Sequence, residues 1–301
     1  MLTKYVRLSH RHPDVRYHPA AIRARRTKLD TGRRGRFLES GEARDLAGRD
    51  RMPRHHGRLL RLLVDLRRVP GLGNIAVGDS GVRLGARVRW RDIEDDQRLE
   101  TAHPLLREAI AHVAHYQIRN RGTVGGSLAH ADPAAELPGI AVTCDAEITL
   151  AGAAGARTIR AGEFFTGPLS TVRRPEEIIT ELHLPFWPEK RRWAFQEFAQ
   201  RQGDFALAGI ALFYGEDQDG RACNAHVGVI GACNRPHRLT EVEIVLNGHP
   251  LDEGLIRQAA ATAAQAVDPP DDVHAGAAYR RGLVATLVER GLRAAAPARG
   301  A

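Results

Sequence analysis

The chain has 301 residues, 43% of them hydrophobic, and a formal net charge of +8. That length buries one large core or two ordinary ones, and no apolar run approaches the roughly 18–20 residues that a membrane-crossing helix needs. Three cysteines without CxxC spacing are too few for a 2Fe–2S cluster, which takes about four thiolates, and they form no zinc pattern. Arg11, Pro13 and Asp14 interrupt any signal-peptide hydrophobic region, so a cytoplasmic location is expected.

The charge is unevenly spread. Residues 1–58 carry 14 Arg and 2 Lys against 6 acidic residues, a net of +10, and the rest of the chain nets −2. Nucleic-acid binding through the basic segment is a weak reading, because aromatics do not interleave with the arginines and no binding fold is recognisable.

In chain order, residues 1–58 show neither a strand nor a helix period. Leu59–Leu66 is a compact apolar run. Ile75–Val77 and Val82–Ala86, either side of Gly78-Asp79-Ser80-Gly81, predict a β-hairpin. His103-Pro104 opens a helix in which Leu106, Ala109, Ile110 and Val113 recur at helical spacing. His112 and His115 are expected on that helix as surface residues rather than metal ligands. A glycine-rich turn is expected over 122–126, and Asp132-Pro133-Ala134-Ala135-Glu136 reads as a helix start with a capping Asp and Pro at its first position. Strands are expected at Ala146–Leu150, Ile178–Leu184, Trp193–Ala199, Ala206–Tyr214 and His226–Ile230, with helices at about 252–266 and 276–295. Without a regular βαβ alternation, this is an α+β assembly of two domains.

Gly71-Leu72-Gly73-Asn74-Ile75-Ala76 fits a dinucleotide-binding pattern, but the segment stays extended where that pattern needs a helix, so a turn between strands explains it. The run Ile118-Arg119-Asn120-Arg121-Gly122-Thr123-Val124-Gly125-Gly126-Ser127-Leu128-Ala129-His130-Ala131-Asp132-Pro133 suits a diphosphate. Gly125 and Gly126 let backbone amides come close to phosphate oxygens. Thr123 and Ser127 add hydroxyl donors, and the following helix adds its dipole. On chemistry alone a tight structural turn fits equally well.

Ile118–Leu137 strongly resembles the central flavin motif, I-R-N-x-G-T-x-G-G-(N/S)-L-A-x-A-D-P-A-(A/S)-(D/E)-L-P, of the FAD subunits of molybdenum hydroxylases of the xanthine and carbon monoxide dehydrogenase type. Val64-Asp65-Leu66 with Pro70-Gly71-Leu72, Phe164-Phe165-Thr166-Gly167, Arg201-Gln202-Gly203-Asp204-Phe205-Ala206, Arg235-Pro236 and Tyr279-Arg280-Arg281 match further motifs of that family. The resemblance covers about 59–295. It implies a two-part FAD-binding domain of the vanillyl-alcohol-oxidase/PCMH type over 59–187. A smaller α+β C-terminal domain of antiparallel sheet plus helices is implied over 188–295, with a tail at 296–301.

The resemblance also implies roles for single residues. Thr123, Gly125, Gly126 and Ser127 surround the FAD pyrophosphate, Glu136 replaces an acidic flavin-contacting residue with Asp132 beside it, and Phe205 lies near the isoalloxazine ring. Gln196 falls where some members carry a Lys near the flavin. Asp132 as a helix cap and Phe205 as core filler are the plainer readings of those two. No catalytic acid, base or metal ligand is expected on this chain. Its partners would be a large molybdopterin-binding subunit and a small subunit with two 2Fe–2S clusters, as a dimer of heterotrimers. Electrons would pass from those clusters through FAD to NAD⁺, a quinone or oxygen.

One departure stands out. The family's first glycine loop, A-G-G-(Q/H)-S, is missing, and the corresponding region reads Leu46-Ala47-Gly48-Arg49-Asp50-Arg51. Residues 1–58 are expected to be an aberrant segment, disordered or frame-shifted, and the lost hydrophobic period favours a frame error over a divergent segment. Three alternatives remain beside the main reading: a scaffold of the same family defective in FAD binding, a pseudogene product, and a free-standing oxidase with a related fold.

Overall fold

The structure is a computed structural model that describes residues 65–296. The expectation of an aberrant segment at residues 1–58, most of the apolar run Leu59–Leu66, and nearly all of the tail lie outside the described residues. After a 3-10 turn at Leu66–Arg68, strands β1 (Ile75–Gly78) and β2 (Gly81–Gly85) form the expected hairpin, with Ile75 opposite Leu84 and Gly78 opposite Gly81. The strand β1 occupies the place where a dinucleotide loop would need a helix.

A helical layer follows: α1 (Trp90–Asp95), α2 (Leu99–Ala102), α3 (Pro104–His112), α4 (Tyr116–Arg119), α5 (Val124–His130) and α6 (Glu136–Thr143). Then come β3 (Glu147–Gly152), β4 (Gly155–Arg160), α7 (Ala161–Phe164), β5 (Phe165–Gly167), β6 (Ser170–Thr171) and β7 (Ile178–Pro185). One antiparallel sheet has the order β1-β2-β7-β3-β4. Strands β8 (Arg192–Phe198), β9 (Ala208–Glu216), β10 (Ala222–Ile230) and β11 (His237–Arg238) make a second, ordered β11-β10-β9-β8. The helices α8 (Thr240–Leu246), α9 (Glu253–Ala266) and α10 (Ala277–Ala295) close the described chain. The architecture is α+β, as the mixed pattern of elements predicts.

Two hydrophobic clusters hold these layers together. The first packs Leu105, Leu106, Ile110, Leu128 and Ile140 against the five-stranded sheet and reaches Phe195, Phe213 and Ile230 of the second sheet. The second joins the other face of the four-stranded sheet to α8, α9 and α10 through Ile210, Leu212, Val242, Val288 and Leu292. Helix α6 is buried at every position from Glu136 to Thr143, as a helix without a solvent face must be. It packs on both β9 and β10.

Three local expectations are corrected. The segment 122–126 is not a free turn, because from Val124 onward it is the first turn of α5, and Thr123 caps it by accepting the Gly126 amide at 3.1 Å. Asp132 does not cap α6. Its Oδ1 accepts the Ala134 amide at 2.9 Å within a tight turn, and α6 starts at Glu136 after Ala135. The reason is Ala131, which ends α5 in the left-handed conformation (φ 55°) and leaves the chain four residues in which to reverse. His112 and His115 do not share a helix, because Ala114 at φ 44° breaks the chain between α3 and α4.

Candidate cofactor site

The glycine-rich segment is sewn to the end of β2 by main-chain bonds. Arg89 and Thr123 form an antiparallel bridge. The Val124 amide donates to the Val88 carbonyl at 2.9 Å and the Gly125 amide to the Ala86 carbonyl at 2.8 Å. The two glycines therefore differ. A Cβ on Gly125 would lie 2.7 Å from Ala86 Cβ and 2.9 Å from its carbonyl oxygen, so this glycine serves the close approach of α5 to β2. Its amide is already engaged by the Ala86 carbonyl. Gly126 is exposed, and a Cβ there would meet Thr123 Oγ1 at 2.9 Å and nothing else within 4 Å.

An anion on this surface would find the Gly126 amide, shared with Thr123 Oγ1, the proton of the Thr123 hydroxyl and the Ser127 hydroxyl. The exposed Arg89 and Arg121 and the positive end of the α5 dipole add favourable potential. This donor set fits a diphosphate on hydroxyls, one amide and charge. Behind it, Arg119 fixes the scaffold: its Nη1 donates to the carbonyls of Val113 (3.1 Å) and Ala114 (2.9 Å), and its Nε lies 2.9 Å from Glu94.

The acidic residues sit at the next bend. Asp132 Oδ2 lies 3.8 Å from His130 Nε2. Glu136 is only 5% exposed. Burial pushes its carboxyl up to about 7 against the pull of its own backbone amide, and Asp132 pushes it further. A second carboxyl, Glu197 on β8, is pushed up to about 8 by burial and then by Glu136. Its Oε2 is enclosed and has no hydrogen-bond partner among the described residues.

Glu197 is the residue that reading the sequence missed. Attention there fell on Gln196, whose Cγ would lie 3.5 Å from a Cβ on Gly291 of α10 and so belongs to the helix side of the sheet. Strand alternation turns its neighbour to the opposite face. The signal was available in that alternation, since Ala194 belongs to the helix-packed cluster and Phe195 to the other one.

Phe205 lies between β8 and β9 and is 58% exposed. It does not fill the core. Its loop lies against Gly231, where a Cβ would meet the Ala206 carbonyl oxygen at 2.5 Å, and the Gly231 amide donates to the Pro133 carbonyl of the acidic bend at 2.9 Å. The structure thus gathers Thr123, Gly125, Gly126 and Ser127 at the head of α5. It sets Asp132 and Glu136 on the bend that follows and brings the Phe205 loop alongside that bend.

A family model described as "FAD binding domain in molybdopterin dehydrogenase" matches residues 42–187, and one described as "CO dehydrogenase flavoprotein C-terminal domain" matches residues 193–295. The nicotine 6-hydroxylase medium subunit of Paenarthrobacter nicotinovorans is 34% identical over 281 residues, covering 92% of this chain and 96% of that one. The 6-hydroxypseudooxynicotine dehydrogenase complex subunit alpha of the same organism is 40% identical over 231 residues, 77% of this chain and 78% of that one. Among solved structures, carbon monoxide dehydrogenase from Hydrogenophaga pseudoflava superimposes with a TM-score of 0.73 at 29% identity, covering 76% of this chain and 79% of that chain. With these matches over the fold and the glycine-rich segment just described, the chain belongs to the family of FAD-binding medium subunits of molybdenum hydroxylases.

Proposed function

We propose that this chain is the electron-transferring flavoprotein of a molybdenum hydroxylase complex. It would take electrons from the iron–sulfur clusters of a small subunit and pass them to NAD⁺, a quinone or oxygen, while a large molybdopterin subunit oxidises the substrate. The complex would be a dimer of heterotrimers in the cytoplasm. The observation that carries this reading is the hydroxyl-rich head of α5, with its exposed Gly126, in one continuous segment with the acidic bend of Asp132 and Glu136. FAD, when bound, supplies the redox chemistry. The protein's part is to hold it. Thr123, Ser127 and the Gly126 amide would bind the diphosphate, Phe205 would cover the ring system, and Asp132 and Glu136 would border it. The division into 59–187 and 188–295 is supported by the family-model matches, which end at residue 187 and resume at 193.

The dependence on partners follows from the thiols. Cys144 and Cys233 are buried and pushed up to about 12 by burial, which leaves Cys223 as the accessible thiol. Clusters of about four thiolates each must come from another chain. Among the described residues no helix is long and apolar enough to cross a membrane.

A second reading, a family scaffold that no longer holds FAD, draws on the missing A-G-G-(Q/H)-S loop, of which only Leu46-Ala47-Gly48 is present. Purification of the full chain decides between them. A flavin absorption band in stoichiometric amount supports the electron-transfer reading, and restoration of the band only after an A-G-G-(Q/H)-S loop is built in upstream of Leu59 supports the other. Stoichiometric iron in the isolated chain would overturn both.

A further inference from the structure

The Tyr279-Arg280-Arg281 motif has no role in the site as described, yet Arg280 is a deeply buried cation. It sits in the first turn of α10, is 3% exposed, and spreads its guanidinium over three acceptors. Nη1 donates to the carbonyls of Leu207 (2.5 Å) and Gly231 (3.1 Å), and Nη2 meets Asp272 Oδ2 at 2.7 Å. Its Nε has no acceptor among the described residues.

Asp272 is itself locked. Its Oδ1 accepts the amides of His274 (2.8 Å) and Ala275 (3.0 Å), and its carboxyl lies at about 2 despite the opposing effect of burial. A buried guanidinium is costly unless its charge and its donors are matched. Here the charge is matched by Asp272, and two donors are spent on main-chain carbonyls.

Those two carbonyls lead to two different parts of the cofactor site. Leu207 follows Phe205 and Ala206 in the same loop. Gly231 directly follows β10, and its amide holds Pro133, which lies between Asp132 and Glu136. A single side chain outside the site therefore ties the Phe205 loop to the Asp132–Glu136 bend. Both carbonyls converge on Nη1 while Asp272 holds Nη2, so the planar guanidinium fixes the point where the two segments meet, which a lysine ammonium on a flexible stem does not.

We propose that Arg280 is a positioning residue that sets the spacing between Phe205 and the Asp132–Glu136 bend, and so the fit of the flavin between them. This rests on the reading above that those segments border FAD.

The test uses the full chain loaded with FAD. Arg280→Lys keeps the charge and should keep the fold, while FAD Kd rises about tenfold or more, as expected for a lost charge-assisted hydrogen bond. The flavin absorption fine structure and fluorescence should change as well. On a Phe205→Ala background the same substitution should have a much smaller effect, because both act through one contact. Arg281→Ala, which removes an exposed ion pair to Asp268, is the control and should leave Kd and spectrum unchanged.

If Arg280→Lys gives no folded protein, Asp272→Asn takes its place. It should show a smaller change of the same kind, again suppressed on the Phe205→Ala background. An unchanged Kd and spectrum in the folded variant, or effects that simply add to those of Phe205→Ala, overturn the proposal. Gly126→Val separates this from the underlying reading. If that variant binds FAD normally, the placement of the cofactor is wrong; if it loses FAD while Arg280→Lys is silent, only the role of Arg280 fails.

Discussion

Helix α5 carries its hydroxyls and its Gly126 amide at the surface, on bonds made within one turn or to the adjoining end of β2. The junction between α6 and the second sheet does the opposite. It buries Glu136 and Arg280, half-buries Glu197, and uses Arg280 to bind main-chain carbonyls far away along the chain. The first region spends little on charge and much on close packing. The second holds two carboxyls whose ionisation is opposed by burial and then by a neighbouring carboxylate, Asp132 for Glu136 and Glu136 for Glu197, with one arginine fixed on main-chain carbonyls. A contiguous segment can offer donors to a diphosphate cheaply. Enclosing the flat end of a cofactor takes residues from several elements, and with them a polar interior that has to be satisfied.

The largest effects should come from splitting the glycine pair. Gly125→Val places a branched side chain into Ala86, where even a Cβ is at 2.7 Å. Overpacking of this kind costs about 1–3 kcal/mol or more, so the variant should lose thermal stability and FAD together. Gly126→Val meets only Thr123 Oγ1 within 4 Å. It should lose less thermal stability than Gly125→Val, on the order of the Thr123 cap it crowds, and lose FAD retention, because the added atoms occupy the face that a phosphate would approach. Thermal melts with and without FAD separate the two, and a Gly126→Val chain with full flavin stoichiometry would take this face out of the site.

How much could be read from the sequence follows the same division. The run from Ile118 to Leu137 is continuous, so its chemistry and its family resemblance were both visible. The helices α9 and α10, with their long apolar period, lie within a residue or so of their expected bounds. Glycine content suggested a turn at 122–126, whereas a Thr123 cap and the contact with Ala86 make the glycines helical, an outcome set by tertiary packing over local propensity. Asp132 and Pro133 gave a good helix-start signal that the left-handed Ala131 overrode. Strand alternation gave the face of Glu197, but its pairing with Glu136, and the place of Arg280, needed the fold. Their relevance lies in contacts with Glu136, Leu207 and Gly231 that no spacing encodes. Phe205 was legible as a motif residue, but its exposure, which sets it apart from core filler, was not.

A smaller effect, read against pH, tests the buried carboxyl pair. Glu197 is held at about 8 and Glu136 at about 7, both above the ordinary carboxylate value of 4.5. The folded chain thus binds protons that the unfolded chain has released. The stability tied to them is fully present below the usual value and is lost as pH rises through about 7 to 8. The pair should titrate as a unit, with Glu136 the first to ionise. Glu197→Gln, which keeps the shape and removes the charge, should flatten the fall in melting temperature over this range and leave the variant more stable than wild type on the alkaline side. Parallel pH profiles of the two proteins would show that Glu197 is solvated and that the junction is looser than its geometry implies.

The smallest change asks whether the Thr123 hydroxyl is a cap, a ligand, or both. Its oxygen accepts the Gly126 amide at 3.1 Å, which leaves its proton available to an anion. Thr123→Ala removes the cap and should cost about 1 kcal/mol, a typical value for this position. If the hydroxyl also donates to the diphosphate, FAD Kd rises by about tenfold as well, the equivalent of one lost hydrogen bond. Thr123→Ser restores an oxygen at the same place and should recover both properties. Stability and affinity then move together in the alanine variant and return together in the serine variant. A stability loss with unchanged Kd would assign the hydroxyl to the helix alone. The diphosphate would then rest on Ser127, the Gly126 amide and the exposed arginines, and the head of α5 would be chiefly a scaffold for the charge around it.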